Sequence, residues 1–383
     1  MQRDVFEDDH RLFQAAVREF TIQVIRPESA AHRAQHEIPR YVWEEAGKRG
    51  YLGLGVPEEY GGSGVDDFRF NAILVEELAA VGLAYASALS LQVDIAVPYF
   101  VRYGTHPQKE RWLPDLATGQ AIVAIAMTEP MAGSDLRAIR TAAKRQDNGW
   151  ILNGAKTFIT NGSSADVVVV AARTSPQKGK RGLTLFAVPS TSPGFARTRS
   201  LDKIGQHEAG TAELFFDDVR LEDDQVIGEV DEGFPQLMEQ LPQERLSSAI
   251  GNLAHAQAAL EETVVYANQR EVFGRTVSDY QHNRFKLAHW KASLDVTRAF
   301  VDKCLAEHVA HNLDPVDAAI AKWWSSDVQN SVIDGCVQLF GGYGYMSEYP
   351  VARAWADARV TKVWAGTNEI MMEIVSRSMN PDK

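Results

Sequence analysis

Trp150-Ile151-Leu152-Asn153-Gly154-Ala155-Lys156-Thr157-Phe158-Ile159-Thr160 places β-forming residues on both sides of an Asn-Gly pair. That dipeptide accepts positive φ at a type I′ turn, so the stretch reads as a hairpin. Working outward, strand-like runs follow at 167–171, 183–188 and 213–219. No helical segment separates them, so antiparallel strands closing into a barrel or sandwich are expected.

On both flanks the period becomes helical. Leu12, Ala16, Phe20 and then Ile73, Leu74, Glu77, Leu78, Val81 recur at three- and four-residue spacing. Thr105-His106-Pro107 ahead of Glu110, Trp112 and Leu113 has the pattern of a capped helix start, and 53–64 is a Gly/Pro-rich loop. From Phe234 onward the pattern is helical again, broken at Gly274, Asp314-Pro315 and Gly341 to Gly344. The expected class is α+β, mainly α: an N-terminal helical domain (1–119), a central antiparallel β-barrel or sandwich domain (120–230) and a C-terminal four-helix bundle (231–383).

The chain has 383 residues, 51 of them acidic and 39 basic, for a net charge of −12. That balance opposes nucleic-acid binding, which needs a basic face. No apolar run approaches the length of a spanning helix, so no membrane span is expected. The acidic N-terminus has no apolar h-region and reads as neither a signal nor a transit peptide. Cys304 and Cys336 form no disulfide framework or metal motif, which favours a reducing compartment. A cytoplasmic location is expected, or the mitochondrial matrix for a processed eukaryotic protein.

Common sites are absent. Gly53-Leu54-Gly55 and Gly342-Tyr343-Gly344 lack the third glycine of a dinucleotide loop, and there is no GxSxG elbow. His32/His36 and His308/His311 read as solvated helix faces, and no metal site is expected. Thr128-Glu129-Pro130-Met131-Ala132-Gly133-Ser134-Asp135 follows the apolar run 121–127. Alone it reads as a strand-ending loop, or as small residues that let amides and hydroxyls approach a planar or phosphorylated ligand.

Three further stretches change that balance: Lys156 to Gly162; Gln269-Arg270-Glu271-Val272-Phe273-Gly274-Arg275; and Gln338-Leu339-Phe340-Gly341-Gly342-Tyr343-Gly344-Tyr345, followed by Tyr349-Pro350, Asp357-Ala358-Arg359 and Gly366-Thr367-Asn368-Glu369-Ile370. In this order and spacing the chain resembles the acyl-CoA dehydrogenase family over nearly its whole length. The resemblance implies a homotetramer, a dimer of dimers, that binds FAD, oxidises an acyl-CoA to the trans-2-enoyl-CoA and passes electrons to an electron-transferring flavoprotein. It assigns Met127, Thr128, Gly133, Ser134, Phe158 and Thr160 to the flavin and the thioester end of the substrate. Arg270, Phe273, Gln281, Gln338 and Gly342 go to a neighbouring subunit's FAD, and Thr367 and Glu369 to the flavin-facing turn. Phe158 stands where some relatives have tryptophan, and Met131 where relatives often have glycine.

One departure from the family pattern directs the chemistry. The most familiar relatives carry the catalytic glutamate before the Gly-Thr pair, where this chain has Trp364-Ala365-Gly366-Thr367. Long-chain and isovaleryl-CoA dehydrogenases place it instead on the first long C-terminal helix beside an arginine, and Leu241-Pro242-Gln243-Glu244-Arg245-Leu246 stands there. Glu244 is therefore the expected base, with a raised pKa. The backbone N–H of Ala365 is the expected oxyanion donor, and Ser134, Arg245 and Trp364 are expected to bind substrate. The C-terminal half looks most similar to long-chain members. Branched-chain oxidation and a silent acyl-CoA-binding role are the alternatives. The segment 90–100, with Gln92 and Asp94, is the expected pocket floor.

Overall fold

The computed structural model describes residues 3–379. Helices α1 (Asp8–Phe20), α2 (Ser29–Gln35), α3 (Arg40–Lys48), α4 (Phe68–Ala79), α5 (Leu83–Ser90), α6 (Val97–Tyr103) and α7 (His106–Thr118) come first. Thr105 caps α7 as its sequence predicts: its hydroxyl accepts from the Gln108 amide, and the Gln108 side chain accepts from the Thr105 amide.

Strands β1 (Val123–Ala126), β2 (Ala142–Gln146), β3 (Gly149–Thr160), β4 (Val167–Arg173), β5 (Leu183–Pro189), β6 (Phe195–Arg197), β7 (Thr211–Glu222) and β8 (Val226–Ile227) form one sheet. The expected hairpin turn at Asn153-Gly154 does not form. β3 continues through it with a register slip against β7 between Leu152 and Gly154, and the turn lies at Asp147-Asn148, between the paired Gln146 and Gly149. Gly154 continues the strand at φ 149°, a value L side chains rarely adopt, and a Cβ there would lie 2.5 Å from Thr141 Oγ1 and 2.7 Å from its Cα. This glycine serves close packing rather than a turn. Gly154→Ala should therefore destabilise by about 1–3 kcal/mol through overpacking and an unfavourable φ. Chemical denaturation checks this; an unchanged midpoint would show that Thr141 yields.

The sheet is also mixed, not wholly antiparallel: β1 pairs parallel with β4 from Val123↔Val167 to Ala126↔Val170, and β2 touches β4 in parallel at Ala142↔Arg173. A parallel pair needs a crossover, and here the β2–β3 hairpin supplies it in place of a helix. β4 and β5 are buried on both faces. Val167, Val169, Leu183 and Leu185 face helical residues such as Phe100, Leu113 and Leu237, whereas Val168, Val170 and Phe186 face Leu152, Leu214 and Phe216 of β3 and β7. The sheet thus folds into two packed layers, the sandwich the sequence suggests.

The C-terminal part contains α8 (Gly233–Gln269), a small ladder of β9 (Glu271–Val272) and β10 (Arg275–Thr276), α9 (Gln281–Val309), α10 (Pro315–Phe340), α11 (Pro350–Ala358) and α12 (Asn368–Met379). The breaks fall at the expected glycines and Asp314-Pro315. One core joins the bundle to the N-terminal helices, with Leu74, Leu78, Leu246, Ile250, Leu253, Val301 and Val332 in a single cluster.

Two sequence expectations need correction. His32 is not on a solvated face: it is buried, with its ring nitrogens 2.9 Å from the Tyr85 and Tyr41 hydroxyls. His36 is the left-handed C-cap of α2, and His308 is half-buried against Phe68 and Gln243. Taken as one run, Leu83–Tyr103 has the length (21 residues) and mean hydropathy (1.2) of a span. It is mostly buried inside the protein and packs as a core helix.

Candidate functional site

The run from α5 to α6 is interrupted by a π-helical turn, Leu91–Ala96. Such turns are uncommon and recur at functional sites. Its polar side chains, whose purpose the sequence leaves open, fasten the three parts of the fold. Gln92 donates to the carbonyls of Leu116 (2.9 Å) and Ala121 (3.3 Å) and accepts from the β1 amide of Val123 (3.0 Å). Asp94 accepts from Asn71 (2.8 Å) and from the α8 hydroxyl of Ser247 (2.5 Å), and its carbonyl accepts from the Gln243 amide (2.6 Å). Asn161, just past β3, donates to the Ala88 carbonyl at 3.0 Å.

Gln243 and Ser247 flank Glu244, so the π turn grips α8 at the turn that carries the expected base. α8 continues through Pro242, whose missing N–H leaves the Met238 carbonyl without its usual helical donor. Glu244 is 5% exposed, and its Oε1 accepts from the Tyr99 hydroxyl at 3.3 Å. Burial pushes its pKa up to about 7, with the Tyr99 hydrogen bond and the Arg245 charge pulling the other way. Arg245 is also buried, and among the described residues its Nε has no hydrogen-bond partner.

The turn at 364–367 meets the same part of α8. The Trp364 indole donates to Ser248, one helical turn beyond Glu244, at 3.2 Å. Ala365 has φ 52° and Gly366 φ 88°, so two successive residues are left-handed. For alanine that conformation is strained and must be held from outside. Lys322 of α10, fully buried, donates to the Gly366 carbonyl (2.6 Å) and to the Asn368 side chain (3.1 Å). Thr367 accepts from the Ile370 amide at 3.4 Å, and Glu369 is exposed in the first turn of α12.

A second group lies where β1 leaves the sheet. Lys156, fully buried on β3, donates to the Met127 carbonyl (2.9 Å) and to Glu129 (2.8 Å). Glu129 also accepts from the amides of Arg140 (2.7 Å) and Thr141 (2.9 Å). Burial lowers the Lys156 pKa to about 8 against the pull of Glu129. The Thr157 amide donates to the Thr128 carbonyl at 3.0 Å, so loop 127–134 lies against β3. Register slips between Lys156 and Ile159, and in this bulge Phe158 takes φ 59° and turns its ring outward, 68% exposed. Thr160 is half-buried at the strand end, and Gly133, Ser134 and Met131 are exposed.

A third group sits at the end of the bundle. Arg270 stacks over Tyr343 (5.7 Å), which follows Gly342, and Phe273 stands 98% exposed at the β9–β10 turn. Gln281 and Gln338 are exposed in the first turn of α9 and the last turn of α10. Among the described residues, no hydrogen bond or ion pair joins these third-group residues to either of the other groups.

A cleft of about 1160 Å³ lies elsewhere, between α1, α4, α8, α9 and α11. It contains none of the expected site residues, and its charges are largely paired, as Arg3 with Asp302 and Arg298 with Glu76. Lys322 escapes the sequence reading, its one hint being a lone charge after the apolar Ala318-Ala319-Ile320-Ala321, and Tyr99 enters that reading only as part of the expected pocket floor at 90–100. The donor set fits a flavin and an anionic thioester ligand: an outward aromatic face at Phe158, an unpartnered buried guanidinium nitrogen at Arg245, and open space beside Gly133.

The profile described as "Acyl-CoA dehydrogenase, N-terminal domain" matches residues 7–120, the middle-domain profile 124–219 and the C-terminal-domain profile 231–380. The chain is 45% identical over 383 residues to the mitochondrial long-chain specific acyl-CoA dehydrogenase of Sus scrofa, covering 100% of this chain and 89% of that protein. It superposes on an acyl-CoA dehydrogenase from Geobacillus kaustophilus with TM-score 0.97 at 41% identity, covering 99% of this chain and 100% of the other. Butyryl-CoA dehydrogenase from Megasphaera elsdenii matches with TM-score 0.94 at 35% identity, covering 99% and 100% respectively.

Proposed function

The chain belongs to the acyl-CoA dehydrogenase family of FAD-dependent oxidoreductases, and from that premise we propose that it oxidises long, straight-chain acyl-CoA thioesters with Glu244 as the α-proton acceptor. The observation that carries this reading is the buried Glu244 carboxylate on α8, beside a turn where Ala365 has no side chain able to take a proton. Bound FAD supplies the acceptor for the β-hydride.

The chain's own residues handle the proton and the developing charge. An α-hydrogen beside a thioester is a weak acid, so removing it needs a positioned base and donors for the enolate oxygen. Glu244, with a pKa near neutrality, is matched to a base working near pH 7. The Ala365 N–H is the proposed oxyanion donor, and Lys322 holds its turn through the Gly366 carbonyl. Because the donor is backbone, it survives an alanine at that position. Arg245 and Trp364 line the substrate side, and Ser134 lies in the exposed loop available to the thioester end. Phe158 gives the flavin an apolar face. Arg270, Phe273, Gln281, Gln338 and Gly342 are assigned to the FAD of a neighbouring subunit in a homotetramer, and an electron-transferring flavoprotein is the proposed electron acceptor. Phe273, at 98% exposure, is accessible to a partner at that site.

Anaerobic titration with a chain-length series of straight acyl-CoAs, alongside isovaleryl-CoA, tests the reading. Bleaching of the flavin should be fastest with the long straight chains. A preference for isovaleryl-CoA would replace the substrate assignment, and protein that takes up no FAD would overturn the reading as a whole.

A further inference from the structure

We propose that Tyr99 is a positioning residue for the base: from a fully buried site its phenol donates to Oε1 of Glu244 and fixes the direction in which the carboxylate faces. The inference rests on the reading of Glu244 as base and adds a residue to it.

Three observations support it. The Tyr99 ring is packed in the same core cluster as Phe100, Val97 and Leu237, so the phenol cannot swing to another partner without leaving its packing. Its hydroxyl has Glu244 as its hydrogen-bond partner, so carboxylate and phenol hold one another, and a rotation of either would leave a buried polar group unpaired. The π turn just before α6 binds Gln243 and Ser247 through Asp94, so the helix bearing the phenol and the helix bearing the carboxylate are pinned together on both sides of Glu244.

The other charged groups around Glu244 are accounted for. On α8, Arg245 adjoins it, and Glu239 is engaged by Arg102 and Tyr103 of α6. Asp94 is held by Asn71 and Ser247. Lys322 of α10 acts on Arg245 and is bonded to the 366–368 turn, while His308 of α9 bonds Gln243. Among the described residues, Tyr99 is the one that hydrogen-bonds the Glu244 carboxylate. A donor to a carboxylate stabilises its charged form. Tyr99 therefore keeps the buried base ionisable at a lower pH than burial alone permits.

Tyr99→Phe removes one oxygen and keeps the ring. In the FAD-loaded protein, the acid limb of the anaerobic flavin-reduction rate against pH should move up by about one pH unit, so that below the limb the rate falls roughly tenfold while the alkaline plateau changes little. Infrared difference titration of the carboxyl, with Glu244→Gln as the blank, should show the same displacement without turnover. 3-Fluorotyrosine at position 99, a more acidic donor, should move the limb the opposite way. A melting midpoint that falls while the limb stays fixed would overturn the proposal and leave Tyr99 a packing residue. An active Glu244→Gln protein would overturn the base reading itself, an outcome the Tyr99→Phe profile cannot mimic.

Discussion

Glu244→Gln should give a folded, yellow protein that binds acyl-CoA but reduces its flavin roughly 10²–10⁴-fold more slowly, the usual contribution of a positioned general base. Rapid-mixing absorbance under anaerobic conditions measures it. Among the described residues, the neighbouring carboxylates are otherwise engaged: Asp94 is committed to Asn71 and Ser247, and Glu239 to Arg102 and Tyr103. A variant that reduces flavin at the parental rate would remove Glu244 from the mechanism.

The same variant has a stability signature of known sign. Burial raises the Glu244 pKa from its ordinary 4.5 to about 7. Between those values the folded state binds more protons than the unfolded state, so this group's contribution to stability falls as pH rises, and above the folded value it falls no further. Glutamine is neutral throughout. Near pH 4, below the unfolded pKa, the two apoproteins should be about equally stable, and near pH 8 Glu244→Gln should be the more stable, by on the order of 3 kcal/mol. Denaturant midpoints at the two pH values check it; equal differences at both would mean that the carboxyl is not desolvated.

Lys156→Met should have the largest effect on stability. Lys156 is fully buried and pairs with a Glu129 that is itself 6% exposed, so methionine strands a buried carboxylate. Breaking such a pair from one side costs about 3–5 kcal/mol, because the surviving charge keeps its desolvation penalty. The loss should reach beyond stability. Lys156 also donates to the Met127 carbonyl, so loop 127–134 loses one of its ties to β3, keeping the Thr157–Thr128 backbone bond, and FAD retention should weaken. Lys156→Met combined with Glu129→Gln should recover part of the stability, since no buried charge remains. Urea denaturation of the single and double variants decides this; additive losses would show that the two side chains do not act as a pair.

What the sequence makes legible is what local chemistry decides. The Thr105 cap, the breaks at Gly274 and Asp314-Pro315, and the change of period near residues 120 and 234 depend on neighbours within a few residues, and they are found where they are read. Asn153-Gly154 misleads because its local preference for a turn is overridden by Thr141, which packs where any Cβ at 154 would stand. The parallel pairing of β1 with β4 is hidden because its crossover is a hairpin rather than a helix. His32 is buried by Tyr85, 53 positions away, and no periodicity of its own helix announces that. At the candidate site, the proposal for Glu244 starts from the alanine at 365 and the position of Glu244-Arg245 on the first long C-terminal helix, whereas Tyr99 and Lys322 acquire meaning only once distant elements are brought to them.

The β1–β4 pairing also bears on how the chain is made. Val123–Ala126 is fully buried in the finished protein, yet its sheet partner is synthesised only after the whole β2–β3 hairpin. At about 5–20 residues per second, a ribosome leaves that apolar segment with an open edge for several seconds. During that interval the nascent chain offers other polypeptides an unpaired strand, the kind of surface that chaperones shield.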